Sequence, residues 1–359
     1  MDKGETEVDL AVKWRDCAYL RDLLEQPEAV ARTIAGLADE HGLDRMAGGL
    51  RGGRWRRVVL TGMGSSYYAC RPLYLRLLKE GVTPVMVEAG ELIHYERDWL
   101  TPDTLVIAVS QSGRSAEIVR LLECARGQSE IVGVTNTADS PLATESTATL
   151  LMHAGIESTV SCKTYLTTLL ALDWLGDVLC GADRALLLDQ ARAAVEPMRD
   201  YLCRWPAHVA ELRPAVEGVA HIFVAGRGAS IAAAGTGGLI LKESTHYPAE
   251  GLSAAAFRHG PFELLSGAVF VLALEGDARS APFSRKLAAD VREAGGRSAL
   301  VSALVSNAAE GVFRIPECAE RIRPLMEILP VEMLTLALAA IKGREPGRFE
   351  LSAKVTEVE

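Results

Sequence analysis

The chain has no excess of basic residues. Its 38 lysines and arginines stand against 47 aspartates and glutamates, a net charge of −9 and a pI near 5.4. Nucleic acid and anionic membrane both need a basic face, so neither is expected as a partner. A small anionic substrate stays open, because backbone N–H groups and hydroxyls bind phosphate locally. Metal-type cysteine spacing is also missing. Cysteines 17, 70, 124, 162, 180, 203 and 318 are odd in number, and they read as reduced, mostly buried thiols of a cytoplasmic protein. Neither a metal nor an organic cofactor is expected. The longest greasy stretch, Thr164–Cys180, is interrupted by Asp173 and Asp177, which predicts a core helix and not a membrane span. The opening Met1-Asp-Lys-Gly-Glu-Thr-Glu is polar and acidic, so no secretory leader is expected. What is present is length, 359 residues with 49% apolar, enough for about two domains.

One stretch organises the rest. Val106–Val109 reads as a buried strand, Ser110-Gln-Ser-Gly113 as a turn, and Ala116–Cys124 as a helix with apolar residues at helical spacing. Ser110, Ser112 and Ser115 therefore crowd a strand-to-helix turn. Gly113 permits close backbone approach, and the helix N-terminus suits an oxyanion. No Walker lysine is present, which argues against a nucleoside triphosphate.

Residues 8–45 read as helical, with Trp14, Leu20, Leu23 and Leu24 on a recurring face and an interruption at Glu25-Gln-Pro27. Strands are expected at Arg56–Thr61, Pro84–Glu88, Thr104–Ser110, Glu130–Thr135 and Thr149–His153, with helical patterns between them. That alternation predicts a doubly wound parallel sheet, with ligands at the carboxyl ends of its strands. Gly62-Met-Gly64 with Glu88 on the next strand invites a dinucleotide reading, but Tyr67 stands in place of the third glycine. After a helical linker, 163–218, His221–Ser230 repeats the strand-GxGxS pattern at an offset of 164 residues. The same offset carries Ser110–Gly113 onto Leu274-Glu-Gly-Asp277, where the serines are lost and acids gained. Further strands are expected at Ala268–Leu274, Ser298–Ser302 and Val312–Ile315, and a helix at Pro330–Lys342. The expected fold class is α/β, two doubly wound parallel-sheet domains in tandem. The expected domains are a helical segment 1–50, sheet domains 51–185 and 205–330, and a C-terminal helix and tail 331–359.

Ile231–Tyr247 reads as one helix with Thr236, Ile240 and Glu243 on one face. An acid on an apolar face is costly unless used, which singles out Glu243. His259 lies in the loop Phe257-Arg-His-Gly-Pro261, and Lys354 in the tail. Taken alone, either is more often structural or solvated.

Five ordered motifs carry a resemblance: Glu25-Gln-Pro27, Gly64-Ser-Ser-Tyr67, Ser110-Gln-Ser-Gly-Arg-Ser115, Lys242-Glu243 with Glu250 and His259-Gly-Pro261, and Ala353-Lys354-Val-Thr356. From about residue 20 to 359 the chain resembles the tandem sugar isomerase (SIS) domain family, that is, the isomerase region of glucosamine-6-phosphate synthase and its relatives. The resemblance implies that Gly64, Ser65, Ser66, Ser110, Gln111, Ser112, Ser115, Ser161 and Ala353 line the sugar-phosphate site. It implies that Glu243 moves a proton between C1 and C2, that His259 opens the ring, and that Lys354 engages the open-chain carbonyl. It further implies a homodimer in which His259 serves the partner's site. The synthase has a Glu and a Lys where this helix has Thr236 and Ile240, and the loop Glu157–Lys163 is one residue shorter. That loop and the Gly343-Arg-Glu-Pro346 tail look more like stand-alone aminosugar-6-phosphate deaminases or isomerases and fructosamine-6-phosphate deglycases. The expectation is an aminosugar-6-phosphate deaminase/isomerase without a glutaminase domain. The rivals are a deglycase and a non-catalytic phosphosugar sensor.

Overall fold

A computed structural model describes residues 13–40, 42–303 and 311–351. Lys354 and Ala353 lie outside the described residues. Two five-stranded parallel sheets form, each flanked by helices. The first holds β1 Arg57–Gly62, β2 Pro84–Glu88, β3 Thr104–Val109, β4 Glu130–Thr135 and β5 Ala148–Leu151, in the order β2-β1-β3-β4-β5. The second holds β6 His221–Gly226, β7 Ala249–Ser253, β8 Val269–Leu274, β9 Arg297–Ser302 and β10 Val312–Arg314, in the order β10-β9-β8-β6-β7. Counting within each half, both orders are 2-1-3-4-5. This is the flavodoxin-like order and not that of a classical dinucleotide fold.

The described chain divides into two compact units. One takes Glu28–Ile156 and Lys163–Arg192 and contains the first sheet. The other takes the residues up to Pro27, Glu157–Cys162 and Ala193–Glu350 and contains the second. In the first unit β3 is buried at every position, and Val106 and Ala108 pack with Ile118, Leu121 and Leu122 of the helix Ala116–Ala125. The helix Lys163–Cys180 is buried over most of its length. Its Asp177, fully buried, pairs with Arg76, and Asp173 lies 3.5 Å from the same guanidinium, so the two acids that interrupt the apolar run are paired within the unit. In the second unit Phe223, Phe257, Val271 and Leu287 form a core under the sheet.

One strand, β7, was not expected, and two expectations are corrected. The edge strand β7 has no apolar alternation strong enough to read, because its residues are only partly buried. The last helix runs Arg323–Lys342 and not from Pro330. Pro324 supplies the helix-starting proline and Pro330 sits inside, tolerated because its apolar surroundings outweigh one lost backbone bond. Among the described residues, the segment Glu320–Lys342, and not Thr164–Cys180, is the helix long and apolar enough to cross a membrane by length and composition. Of its apolar 18-residue window 94% is buried within the protein, as in a core helix. The other correction is register. Ser110 N donates to Val134 O at 3.0 Å, and Glu275 N donates to Val301 O at 3.0 Å. Ser110 therefore corresponds to Glu275, an offset of 165 (275 − 110), one more than the 164 between Ser66 and Ser230.

The helix Ile231–Thr245 lies against β7 so closely that a Cβ on Gly238 would meet the Gly251 nitrogen at 2.1 Å and the Glu250 carbonyl carbon at 2.7 Å. These are backbone atoms and cannot swing aside. Gly238→Ala is expected to cost about 3 kcal/mol or more, at the upper end of overpacking penalties. Gly90→Ala, in the helix Ala89–His94 with open space at the Cβ position, is expected to be neutral or stabilising by up to about 1 kcal/mol. Urea denaturation of the two variants checks the contrast.

Candidate functional site

In the first unit the serine turn leaves the carboxyl end of β3, next to the turn that leaves β1; the two strands pair Gly62 with Val109. At Gly62 a Cβ would strike the Val109 carbonyl at 2.7 Å and Ser66 Cβ at 3.2 Å, so glycine allows the β1 turn to fold back onto the strand ends. Gly64 is left-handed, with φ 54°, and Gly64, Ser65 and Ser66 open the helix Gly64–Ala69. The serine turn is held from behind. The Gln111 carbonyl accepts from Asn136 N at 3.1 Å and from Thr135 Oγ1 at 3.2 Å, and the Gly113 carbonyl accepts from Leu142 N at 3.2 Å. Ser110 Oγ accepts from Gly113 N at 3.1 Å, and Ser112 Oγ accepts from Arg114 N at 3.2 Å. Gly113 is left-handed, φ 62°, and a Cβ there would meet Ser140 Oγ at 2.2 Å. Ser115 takes the N-cap position in extended backbone, yet its hydroxyl makes no capping bond. The carbonyls are thus spent on β4 and its loop, while three hydroxyls and a helix N-terminus gather at the strand end, a setting for a small oxyanion.

The second unit carries the acid. Glu243 stands near the end of the helix Ile231–Thr245, whose Thr236 and Ile240 are fully buried. Glu243 itself is half-buried, and Lys242 is exposed. Burial pushes the Glu243 carboxyl up to about 7; Lys242 opposes this and the carboxylate of Glu157 adds to it. No cation one turn before it offsets the burial, since Ile240 takes that place. Glu157 is a residue that pattern reasoning missed. It is 6% exposed, accepts from Cys162 N at 2.9 Å, and so closes the loop that contains Ser161. Its signal was weak: one acid in a Ser/Thr loop. Behind it lies Glu332, fully buried and accepting from Gln26 Nε2 at 2.6 Å. Burial holds Glu332 well above the carboxylate range, and Glu157 adds to the effect. Gln26, from the Glu25-Gln-Pro27 motif, is thus a donor to a buried acid in the same unit.

His259 is exposed. Phe257, fully buried and edge-on to Phe223 at 5.1 Å, anchors its loop from below, and Arg258 pairs with Asp290 at 2.7 Å. Gly260, φ 124°, then turns the chain into Pro261. The imidazole is therefore presented outward by a pinned loop.

The Glu243 carboxyl titrates higher in the fold than when unfolded. Its ionisation therefore costs stability as pH rises from about 4.5 through about 7. Glu243→Gln removes that loss. The variant's stability is expected to fall less than the wild type's between pH 5 and pH 8, by urea denaturation at each pH.

Residues 54–176 match the family model of the SIS domain. Over 351 residues the chain is 29% identical to the glutamine–fructose-6-phosphate aminotransferase (isomerizing) of Pyrococcus horikoshii, covering 95% of this chain and 57% of that enzyme. The chain thus spans less than two thirds of the length of the curated relatives it matches. Among solved structures, the C-terminal domain of glucosamine-fructose-6-phosphate aminotransferase from Francisella tularensis superposes with a TM-score of 0.77 at 23% identity, over 91% of this chain and 96% of that one. Glucosamine-6-phosphate deaminase from Thermotoga maritima superposes at 0.75 with 18% identity, over 95% and 100%. At these identities the two likenesses are of fold. The segment that matches the SIS-domain model covers the first sheet, and the second sheet repeats the same strand order.

Proposed function

We propose that the chain is a phosphosugar enzyme that interconverts aldose and ketose 6-phosphates, acting on an aminosugar 6-phosphate with release of ammonia. One observation carries the reading: a half-buried carboxyl, Glu243, held near neutrality on the helix that follows a Gly-x-Gly-x-Ser turn. A general base works best with a pKa near the operating pH. In this mechanism His259 of the partner subunit opens the ring and Lys354 engages the free carbonyl. Ser66, Ser110, Gln111, Ser112 and Ser115 hold the phosphate. Glu243 takes the proton from C2 and returns it to C1, leaving an imine at C2. Water adds to that carbon, and ammonia departs as the ketose forms. The enzyme is proposed to be a cytoplasmic homodimer, and no nucleic acid or membrane partner is invoked. The aminotransferase relatives support the choice of aminosugar chemistry.

A panel of amino- and keto-sugar 6-phosphates, with ammonia and ketose followed together, tests the reading. Ammonia and ketose are expected in equal amounts from an aminosugar 6-phosphate. Release of an amino acid from a fructosamine 6-phosphate would mark a deglycase, and binding without turnover a sensor. Glu243→Gln is expected to slow wash-in of solvent deuterium at the transferred carbon by about a hundredfold or more, while phosphosugar binding survives. Wild-type exchange would move the base elsewhere. Ser110→Ala with Ser112→Ala is expected to weaken phosphosugar binding by about 2–5 kcal/mol, at about 1.5–3 per charged hydrogen bond, as read by calorimetry. Mixing inactive His259→Ala and Glu243→Gln chains is expected to restore part of the activity through hybrid dimers. A monomer by light scattering that still turns over would exclude a shared site.

A further inference from the structure

The second sheet has its own crevice, at the ends of β6 and β8. Its turn, Gly226-Arg-Gly228-Ala-Ser230, matches the first unit's in detail. Gly228 has φ 57° where Gly64 has 54°, and a Cβ on Gly226 would meet Ser230 Cβ at 3.2 Å, the distance found between Gly62 and Ser66. Glu275 stands at the place of Ser110, followed by Gly276 with φ 76°. Three acids enter this crevice, and two are tied into its wall. Glu275 accepts from Arg285 Nε at 2.6 Å and from Ser302 Oγ. Asp277 accepts from Ser280 N and Ser280 Oγ, both at 2.7 Å.

The third acid arrives from another element. Glu327, one turn into the helix Arg323–Lys342, is fully buried. Its Oε1 accepts from Gly276 N at 2.9 Å, and Arg323 Nη1 donates to the Gly276 carbonyl at 2.9 Å. Ser230 Oγ would lie 3.1 Å from a Cβ on Gly276, so the hydroxyl borders the same spot. Glu327 Oε2 and Arg323 Nε are buried with no hydrogen-bond partner. A backbone N–H thus bonds this carboxylate, which belongs to none of the loops forming the crevice, and a hydroxyl and the buried Arg323 guanidinium lie nearby. These are the donors that bind a free oxyanion.

We propose that the second crevice is an oxyanion site whose resident anion is the protein's own Glu327 carboxylate, and that removing this side chain opens a site for one small carboxylate. The repeat then offers one crevice to outside ligands because the other carries its ligand covalently. The assignment is independent of the sugar chemistry proposed above. Burial pushes Glu327 up to about 7 against the bonds from Ser230 and Gly276 and the Arg323 charge, so the internal anion is held at a cost. Deleting it takes a carboxylate away from the neighbourhood of the buried Arg323, and a buried charge left uncompensated favours any anion that fits.

The test uses the full chain and formate, a carboxylate that fits the vacated space, with formamide as its neutral isostere. Glu327→Ala is expected to melt below the wild type, and formate is expected to raise its Tm with the logarithm of concentration. Formamide at equal concentration, wild-type protein in formate, and the Glu327→Ala, Arg323→Met double variant are expected to show no such rise. Glu327→Gln, which keeps the volume filled, is expected to gain nothing from formate. If Glu327→Ala is recovered unfolded, refolding yield in formate against formamide replaces Tm. Equal rescue by formamide, an equal rise in the wild type, or equal rescue of Glu327→Gln would overturn the assignment.

Discussion

A steric constraint stands beneath both crevices. At Gly62 and Gly226 the chain leaving a central strand turns back so closely that its own serine, Ser66 or Ser230, sits within 3.2 Å of any Cβ placed there. Glycine relieves it, a second glycine in left-handed backbone follows two residues on, and a hydroxyl is delivered to the strand ends. Everything that differs between the two units is added to this shared frame. In the first, β3 ends in a serine turn whose Gln111 and Gly113 carbonyls are engaged behind it. In the second, β8 ends in acids, and a carboxylate from a distant helix fills the space.

The energetic character of the second unit follows from carboxyls placed where water is scarce. Glu243, Glu327 and Glu332 are all raised by burial, and each meets a different surrounding. Glu332 has one amide donor, Gln26. Glu327 has a backbone N–H, a hydroxyl and an arginine nearby. Glu243 is the most exposed of the three and has little to hold its charge beyond neighbouring Lys242. A buried acid with good donors is a structural element, whereas one left near neutrality on an accessible face suits proton transfer. The helices Ile231–Thr245 and Arg323–Lys342 carry all three, and Gly237 and Val331 set their spacing: a Cβ at Gly237 would press Val331 Cγ1 at 3.0 Å.

Much of this was legible in the amino-acid order. Alternating strand and helix periods led to two parallel sheets, and the repeated Gly-x-Gly-x-Ser marked their duplication, because both signals are local and periodic. The serine turn was visible for the same reason, and Glu243 as an acid on an apolar face. Tertiary structure decided the rest. A half-buried edge, β7, leaves no pattern to read. One extra residue between β6 and β8 makes Glu275, and not Leu274, the counterpart of Ser110. Only backbone pairing reveals that shift. The partners of the buried acids lie far away in sequence: Gln26 and Glu332 are 306 residues apart, Gly276 and Glu327 51. Residue type announces that a carboxylate needs a donor, but which donor reaches it, and how far burial then moves its proton affinity, is set by packing alone.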